Sequence, residues 1–287
     1  MRWLVTGVSG FLGANAARVL GADAEVVGLS RSGEPLPWCS QVVAADLLDS
    51  GSVETAVGDV EPDVVLHCAA LADHRACEVD EAAAMRINAD ASGVLASAAA
   101  SVGAGFVYVS TDAVFSGERG WYAEGEPVSP INAYGRSKAA GEEAVRAAHG
   151  SAVIARTNFF GWSPSGQRSI LEFFVRELGA GNRVRGFVNY TVTSLFVEDV
   201  VGSIAGIVDS GESGVFHVVS DDAVTKADFG GLVAREFGLD GSLIDPVEMG
   251  GPAKDLSLRS GRLAALRGAP MPTQRDGVVR AKDSERF

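Results

Sequence analysis

Thr6-Gly7-Val8-Ser9-Gly10-Phe11-Leu12-Gly13 follows directly on the apolar run Trp3-Leu4-Val5 and leads into a helical pattern from Ala14 to Leu20. A strand, a glycine loop and a helix in that order make a cradle for phosphates. Gly7 lets the chain turn, Gly10 lets backbone approach a pyrophosphate, and Gly13 lets the helix lie close on the strand. The helix start then presents free N–H groups and partial positive charge. Ser9, Phe11 and Leu12 lie in the same loop and are expected beside a dinucleotide. A tight strand-to-helix turn could use the same glycines, so the surrounding pattern has to separate the two readings.

That pattern is a parallel-sheet rhythm. Glu25-Val26-Val27-Gly28-Leu29, Val42-Val43-Ala44, Asp63 to His67, Phe106 to Ser110 and Ala152-Val153-Ile154-Ala155 read as strands, continuous in apolarity because both faces are covered. Between them, Asp80 to Val102 suits one long crossover helix, and Tyr134 to Ala148 another, closed by Gly150. The sheet is expected to run to about Arg156. The rhythm then changes. Gly161 to Gly166 reads as a loop, Ser169 to Leu178 as a helix, Arg183 to Val192 as irregular, Val215 to Val219 as a strand and Thr225 to Phe237 as a helix. Glu198-Asp199 suits a helix start. The tail after Gly250 is rich in Gly, Pro and charge. The expected fold is α/β: a Rossmann-like, doubly wound parallel sheet with a smaller C-terminal substrate-binding portion. Residues 1–160, with a returning segment near 192–222, would bind the nucleotide; 161–191 and 223–287 would form the second wall.

Composition narrows the ligands. The 287 residues carry 37 acidic and 24 basic side chains, a formal charge of −13, so a nucleic-acid partner is not expected. The apolar fraction of 47% supports a sizeable core, and no run of 18 apolar residues marks a membrane span. Glycine comes too early for a signal segment. A cytoplasmic protein without a membrane partner is the expectation. Cys39, Cys68 and Cys77 and the four histidines show no metal-like spacing, so neither a metal nor a disulfide is expected.

Chemistry enters at Tyr134-Gly135-Arg136-Ser137-Lys138. Four residues apart on a helix, phenol and ammonium share one face, so the cation should lower the phenol's pKa toward working pH. A protonated phenol can then give its proton to a carbonyl oxygen as hydride arrives at carbon. Ser110-Thr111-Asp112 ends an apolar strand upstream and puts the Thr111 hydroxyl at the sheet edge where ligands bind. Asn132 stands just before the tyrosine helix.

The glycine spacing after a threonine resembles the extended branch of the short-chain dehydrogenase/reductase superfamily. Ser110 to Gly117, Pro127, Pro130 and Asn132 to Glu142 resemble the dTDP-4-dehydrorhamnose reductases, loosely over the whole chain and well over residues 1 to 160. The resemblance implies Thr111 as the hydroxyl that orients the carbonyl, Tyr134 as proton donor and Lys138 as the ribose-binding cation. It also implies Asp46-Leu47 at the adenine and Ala69 and Ala70 against the cofactor, with a homodimer plausible. Related dehydratases follow the threonine with Asp-Glu. Here Ala113 follows Asp112, so the elimination pair is incomplete. Departures from the reductases at Ala113, at Arg156 to Trp162 and at Phe187 to Ser194 fall where the sugar and its nucleotide would lie.

The end of the second strand, Leu29-Ser30-Arg31-Ser32, offers a hydroxyl and a guanidinium but no acid, which favours a 2′-phosphate and hence NADPH over NAD(H). Asp112 and Asn158 are candidates for the sugar, and Arg183 and Arg185 for a substrate diphosphate or else for solvated loop charge. Phe159 and Trp162 could stack on a base or pack in the core. The reading is an NADPH-dependent reductase of the keto group of a nucleotide-activated sugar, dTDP-linked and 4-keto-6-deoxy in type. The alternatives are an NAD-retaining epimerase and a non-catalytic NADP-binding regulatory subunit.

Overall fold

Short runs of Val, Leu and Ile can bury both faces only inside a covered sheet, and the computed structural model, which describes residues 1–287, places them there. The runs form β1 (Arg2–Thr6), β2 (Glu25–Ser30), β3 (Gln41–Ala44), β4 (Val64–His67), β5 (Gly105–Thr111) and β6 (Val153–Thr157). Short strands β7 (Phe159–Phe160), β8 (Val184–Phe187), β9 (Tyr190–Val192) and β10 (Leu195–Phe196) follow. Then β11 (Gly214–Val218) returns to the sheet ahead of β12 (Val224–Thr225), β13 (Ile244–Val247) and β14 (Lys254–Asp255).

The central sheet has the order β11-β6-β5-β4-β1-β2-β3, every pair parallel. The chain leaves β1 toward β2 and β3, then crosses to β4 on the other side. That reversal opens a crevice at the carboxyl ends of β1 and β4, where ligands of such sheets bind.

Helices cover both faces. They are α1 (Phe11–Leu20), α2 (Ser50–Val60), α3 (His74–Val79), α4 (Glu81–Met85), α5 (Ala91–Ser101) and α6 (Ala133–Ala148), then α7 (Ile170–Gly179), α8 (Val197–Asp209), α9 (Lys226–Phe237), α10 (Gly261–Arg267) and α11 (Gln274–Asp283). Alternation along the strands sorts the core. Trp3, Val5 and Leu66 pack with Leu12 of α1 and Val200 and Ile204 of α8. Leu4, Val65 and Phe106 pack on the opposite face with Val53 and Val57 of α2 and Leu95 of α5. Truncating one such leucine to alanine costs about 2–5 kcal/mol.

Three sequence expectations are corrected. The Asp80–Val102 segment is not one regular helix: Asp80 caps α4, accepting from Ala83 N–H at 2.8 Å, and Arg86–Asp90 winds as a π turn before α5. The wider turn sets Asn88 inside the molecule. The helix α6 ends at an extended His149 rather than at Gly150, the His149 N–H bonding the Val145 carbonyl at 2.8 Å. Arg183 to Val192 is not irregular, because β8 pairs with β13 and β9 lies between β12 and β14. Those partners lie far along the chain, and local pattern cannot show them. The tail after Gly250 holds α10 and α11. Glu198 and Asp199 do open α8, where they pair with Arg18 and Arg280. No helix is long and apolar enough to cross a membrane.

Candidate active site

A cleft of about 900 Å³ lies along the carboxyl ends of the central strands. The glycine loop forms its floor. Gly7 sits at φ +69°, and a side chain there would meet the Ala69 backbone N at 2.9 Å. A Cβ on Gly13 would run into the Gly7 carbonyl. Ser9, Gly10, Phe11 and Leu12 line the cleft beside them, and α1 begins at Phe11 with no carboxylate in its first turn. The backbone is thus bare where a pyrophosphate would lie on the helix start, which fits a dinucleotide.

A buried polar chain supports this floor. Thr6 Oγ1 lies 2.7 Å from His67 Nδ1, His67 Nε2 lies 3.0 Å from Ser92 Oγ, and Ala69 N–H donates to Thr6 Oγ1 at 3.1 Å. Burial, reinforced by the Lys138 charge, pushes the His67 pKa down to about 3, so the ring is neutral. Ala69 and Ala70 face the cleft. At its far end Ser30 accepts from Gly33 N–H at 3.1 Å, and Asp46 accepts from Leu48 N–H at 3.0 Å. Ser30, Arg31, Asp46 and Leu47 all line it. Arg31 forms no ion pair within the protein, whereas Arg136 and Arg156 do.

The reacting end is built by β5 and α6. Thr111 ends β5; its hydroxyl donates to Asp112 Oδ1 at 2.9 Å and accepts from Ala113 N–H at 3.2 Å. Asp112 is 4% exposed. Asn158 Nδ2 donates to its Oδ2 at 2.7 Å, and Ser194 donates to Asn158 Oδ1 at 2.5 Å. Burial raises the Asp112 pKa, against the pull of those hydrogen bonds and of Lys226 and His74. Asn132 caps α6 by accepting from Gly135 N–H at 2.7 Å, which places Tyr134 in the first turn and Lys138 one turn on.

Tyr134 departs from the sequence reading. Its pKa is raised, first by burial and then by the Asp112 carboxylate, with the Thr111 hydroxyl working the other way; Lys138 is not among the causes. The phenol therefore stays protonated across the neutral range. The Lys138 ammonium, 2% exposed, instead lies 3.8 Å from the centroid of the Tyr108 ring. Desolvation lowers its pKa to about 7 despite the nearby Glu142 and Cys68.

Arg183 and Arg185, candidates for a diphosphate, do not line the cleft. The pairing of β8 with β13 carries them outward, Arg183 onto Asp245 and Arg185 over the Phe187 ring. Trp162 is core, donating to the Ala281 carbonyl at 2.7 Å, while Phe159 packs on Phe11 with ring centroids 5.1 Å apart and faces the cleft.

Other groups have no local signature. His74 stacks on Tyr134, ring centroids 4.6 Å apart. Arg168, Tyr190 and Lys226 come to the same wall from the C-terminal portion. Asn88, from the π turn, accepts from Leu71 N–H at 2.8 Å and donates to Ser137 Oγ at 2.9 Å, clamping the cleft wall to α6. Only Lys226 left a trace in sequence: it follows Thr225 at a recognisable helix start.

The family model described as RmlD substrate binding domain matches residues 1–281. The chain belongs to that family. Within it, the chain is 36% identical over 247 residues to a probable low-salt glycan biosynthesis reductase, Agl14, of Haloferax volcanii, covering 84% of this chain and 82% of that one. It is 31% identical over 280 residues to a dTDP-4-dehydrorhamnose reductase of Mycobacterium tuberculosis, covering 93% and 87%. The crystal structure of dTDP-4-dehydrorhamnose reductase from Bacillus anthracis in complex with NADP superposes with a TM-score of 0.88 at 24% identity, covering 98% of each chain, which shows a shared fold.

Proposed function

We propose that this family member is an NADPH-dependent reductase of the keto group of a nucleotide-linked sugar, dTDP-linked and 4-keto-6-deoxy in type. The observation that carries the reading is the Tyr134 phenol, next to the Thr111 hydroxyl, at one end of the cleft whose floor is the glycine loop. The similarity to reductases of dTDP sugars supports the substrate class.

Gly7 to Gly13 and the α1 start would hold the pyrophosphate, Ser30 and Arg31 the 2′-phosphate, and Lys138 the ribose next to the nicotinamide. NADPH, when bound, supplies hydride. Thr111, turning its hydroxyl proton from Asp112 to the carbonyl oxygen, orients that oxygen, and Tyr134 donates its own proton to it as it becomes an alkoxide. Burial first, and then Asp112, raises the Tyr134 pKa, which keeps the proton in place until charge develops on the substrate. Ala113, next in the chain, supplies no carboxylate to complete an Asp-Glu elimination pair with Asp112, so reduction is favoured over loss of water.

The test is NADPH consumption, followed by absorbance, with a panel of keto-sugar nucleotides. Turnover with one or more members is expected, and Tyr134→Phe should lower kcat by about 10²–10⁴ with NADPH affinity kept. Unchanged turnover in Tyr134→Phe, or no consumption with any ketone, overturns the reading. Tightly bound NAD in the purified protein would point to the epimerase.

A further inference from the structure

A second cavity, of about 600 Å³, shares no lining residue with the cleft. It lies where the segment after α11 returns to α1 and to the loop between β2 and β3, and Arg18, Trp38 and Phe287 line it. Three successive residues of that segment are gripped. The Glu285 carbonyl accepts from Arg18 Nη1 at 3.4 Å, and the Arg286 guanidinium lies 4.0 Å from the centroid of the Trp162 ring. The Phe287 ring meets that of Trp38 edge-on, centroids 5.2 Å apart, with the Arg18 guanidinium 5.3 Å from the Phe287 centroid.

Trp38 connects this outer cluster to the glycine loop. An indole nitrogen can only donate, and that of Trp38 donates to the Val8 carbonyl at 3.0 Å. No peptide bond is cis, so the Ser9 N–H, in the same peptide plane as the Val8 carbonyl, points away from Trp38. Ser9 lines the cleft and Trp38 does not, and the Ser9 N–H makes no backbone hydrogen bond. Rotating that peptide would turn the Val8 oxygen, a partial negative charge, toward the phosphates. The flanking residues resist such a rotation poorly: Gly7 precedes Val8 and Gly10 follows Ser9, and glycine backbone is permissive. The bond from Trp38 therefore holds what the loop itself leaves loose.

We infer that Trp38, braced by Phe287, is a positioning residue for the cofactor: its bond to Val8 keeps the Ser9 N–H on the phosphate side of the cleft, so the segment after α11 contributes to dinucleotide affinity without touching the dinucleotide. The inference rests on NADPH as the cofactor and does not depend on which ketone is reduced. Its effect falls on the pyrophosphate, which NADPH and NADH share, and it works by pre-organising the loop.

The experiment titrates NADPH and NADH, by the fluorescence of the reduced nicotinamide, into the wild type, Trp38→Phe, Phe287→Ala, Phe287→Tyr and the double variant Trp38→Phe/Phe287→Ala, each checked for folding by circular dichroism. Trp38→Phe keeps a ring for Phe287 but loses the N–H, and should weaken both cofactors by the same factor, about 3- to 10-fold. Phe287→Ala should weaken both about threefold, and Phe287→Tyr, which keeps the ring contact, should bind as the wild type does. The double variant should bind no more weakly than Trp38→Phe alone, because the brace has no bond left to hold. Wild-type affinity in Trp38→Phe overturns the inference, as does a loss confined to NADPH, which would put the effect at the 2′-phosphate. Losses that multiply in the double variant overturn the coupling of Phe287 to Trp38. A wild type that binds neither nucleotide sinks the cofactor reading, and the inference with it.

Discussion

Replacing Arg156 by methionine should destabilise the fold far more than the loss of a surface charge would. The Arg156 side chain is 3% exposed and that of Glu142 0%. Arg156 Nε and Nη2 donate to the two Glu142 oxygens at 2.8 and 2.7 Å, and Ser110 Oγ adds a bond at 2.6 Å. Without the guanidinium, Glu142 keeps one hydroxyl and a more distant Arg146 at 3.7 Å. Breaking a buried pair from one side costs about 3–5 kcal/mol, because the surviving charge has lost both water and partner. At about 2 °C per kcal/mol for a chain of this size, the melting temperature should fall by roughly 6–10 °C. Adding Glu142→Gln removes the stranded charge while keeping an acceptor for Ser110, and should recover a large part of that loss. Thermal melts followed by circular dichroism at neutral pH measure both steps. A single variant within about 2 °C of the wild type, or a double variant no more stable than the single, would refute the reasoning. The pair also anchors Ser110, the neighbour of Thr111, so turnover should fall with it.

Gly13→Ala drives a methyl group into the Gly7 carbonyl, backbone against backbone, so loop or helix must shift; NADPH binding by fluorescence titration should weaken about 10-fold or more, and wild-type affinity would count against the cradle. Arg31→Ser should weaken NADPH about 10- to 100-fold and leave NADH unchanged, since a charged hydrogen bond contributes about 1.5–3 kcal/mol; equal losses for both would remove Arg31 from the 2′-phosphate. Lys138 has a folded-state pKa lowered from 10.5 to about 7, so the unfolded chain holds its proton over that interval while the folded one releases it. Stability from this residue is complete above pH 10.5 and is lost as pH falls through about 7. Lys138→Met should therefore gain most over the wild type in chemical denaturation below pH 7, with the gap closing as pH rises; a gap independent of pH would contradict the burial argument.

The parts of the site that sequence disclosed are those made by neighbours in the chain. Gly7 to Gly13 lie within one turn of backbone, and Tyr134 and Lys138 within one turn of helix, so spacing alone brings them together. The Tyr134 environment is different in kind. The carboxylate that acts on it, Asp112, comes from another element, and desolvation has no signature in spacing, so burial outweighs the expected effect of Lys138. Arg183 and Arg185 take the second of their two readings, surface charge rather than diphosphate ligands, for the same reason: the pairing of β8 with β13 decides which way they face. Asn88 needed a π turn, a local irregularity inside an ordinary alanine-rich helical composition. His74, Arg168 and Lys226 reach the cleft from three separate segments, and only the tertiary fold puts them on one wall.

The position of β11 at the end of the central sheet bears on how the chain survives its own synthesis. Its partner β6 ends at Thr157, and β11 begins only at Gly214. Throughout that interval a growing chain carries the apolar edge Val153-Ile154-Ala155 without a neighbour on that side, and for most of it, until Val197–Asp209 is made, α1 lacks the α8 side chains that later share its core. An open, parallel, apolar edge is a template for other chains. The fifty-odd residues between the two strands, which bring Asn158, Phe159, Arg168 and Tyr190 to the cleft, are therefore also a period of vulnerability. Fragments that stop near residue 160 should pair with one another and precipitate, although they hold the whole glycine loop and both Tyr134 and Lys138.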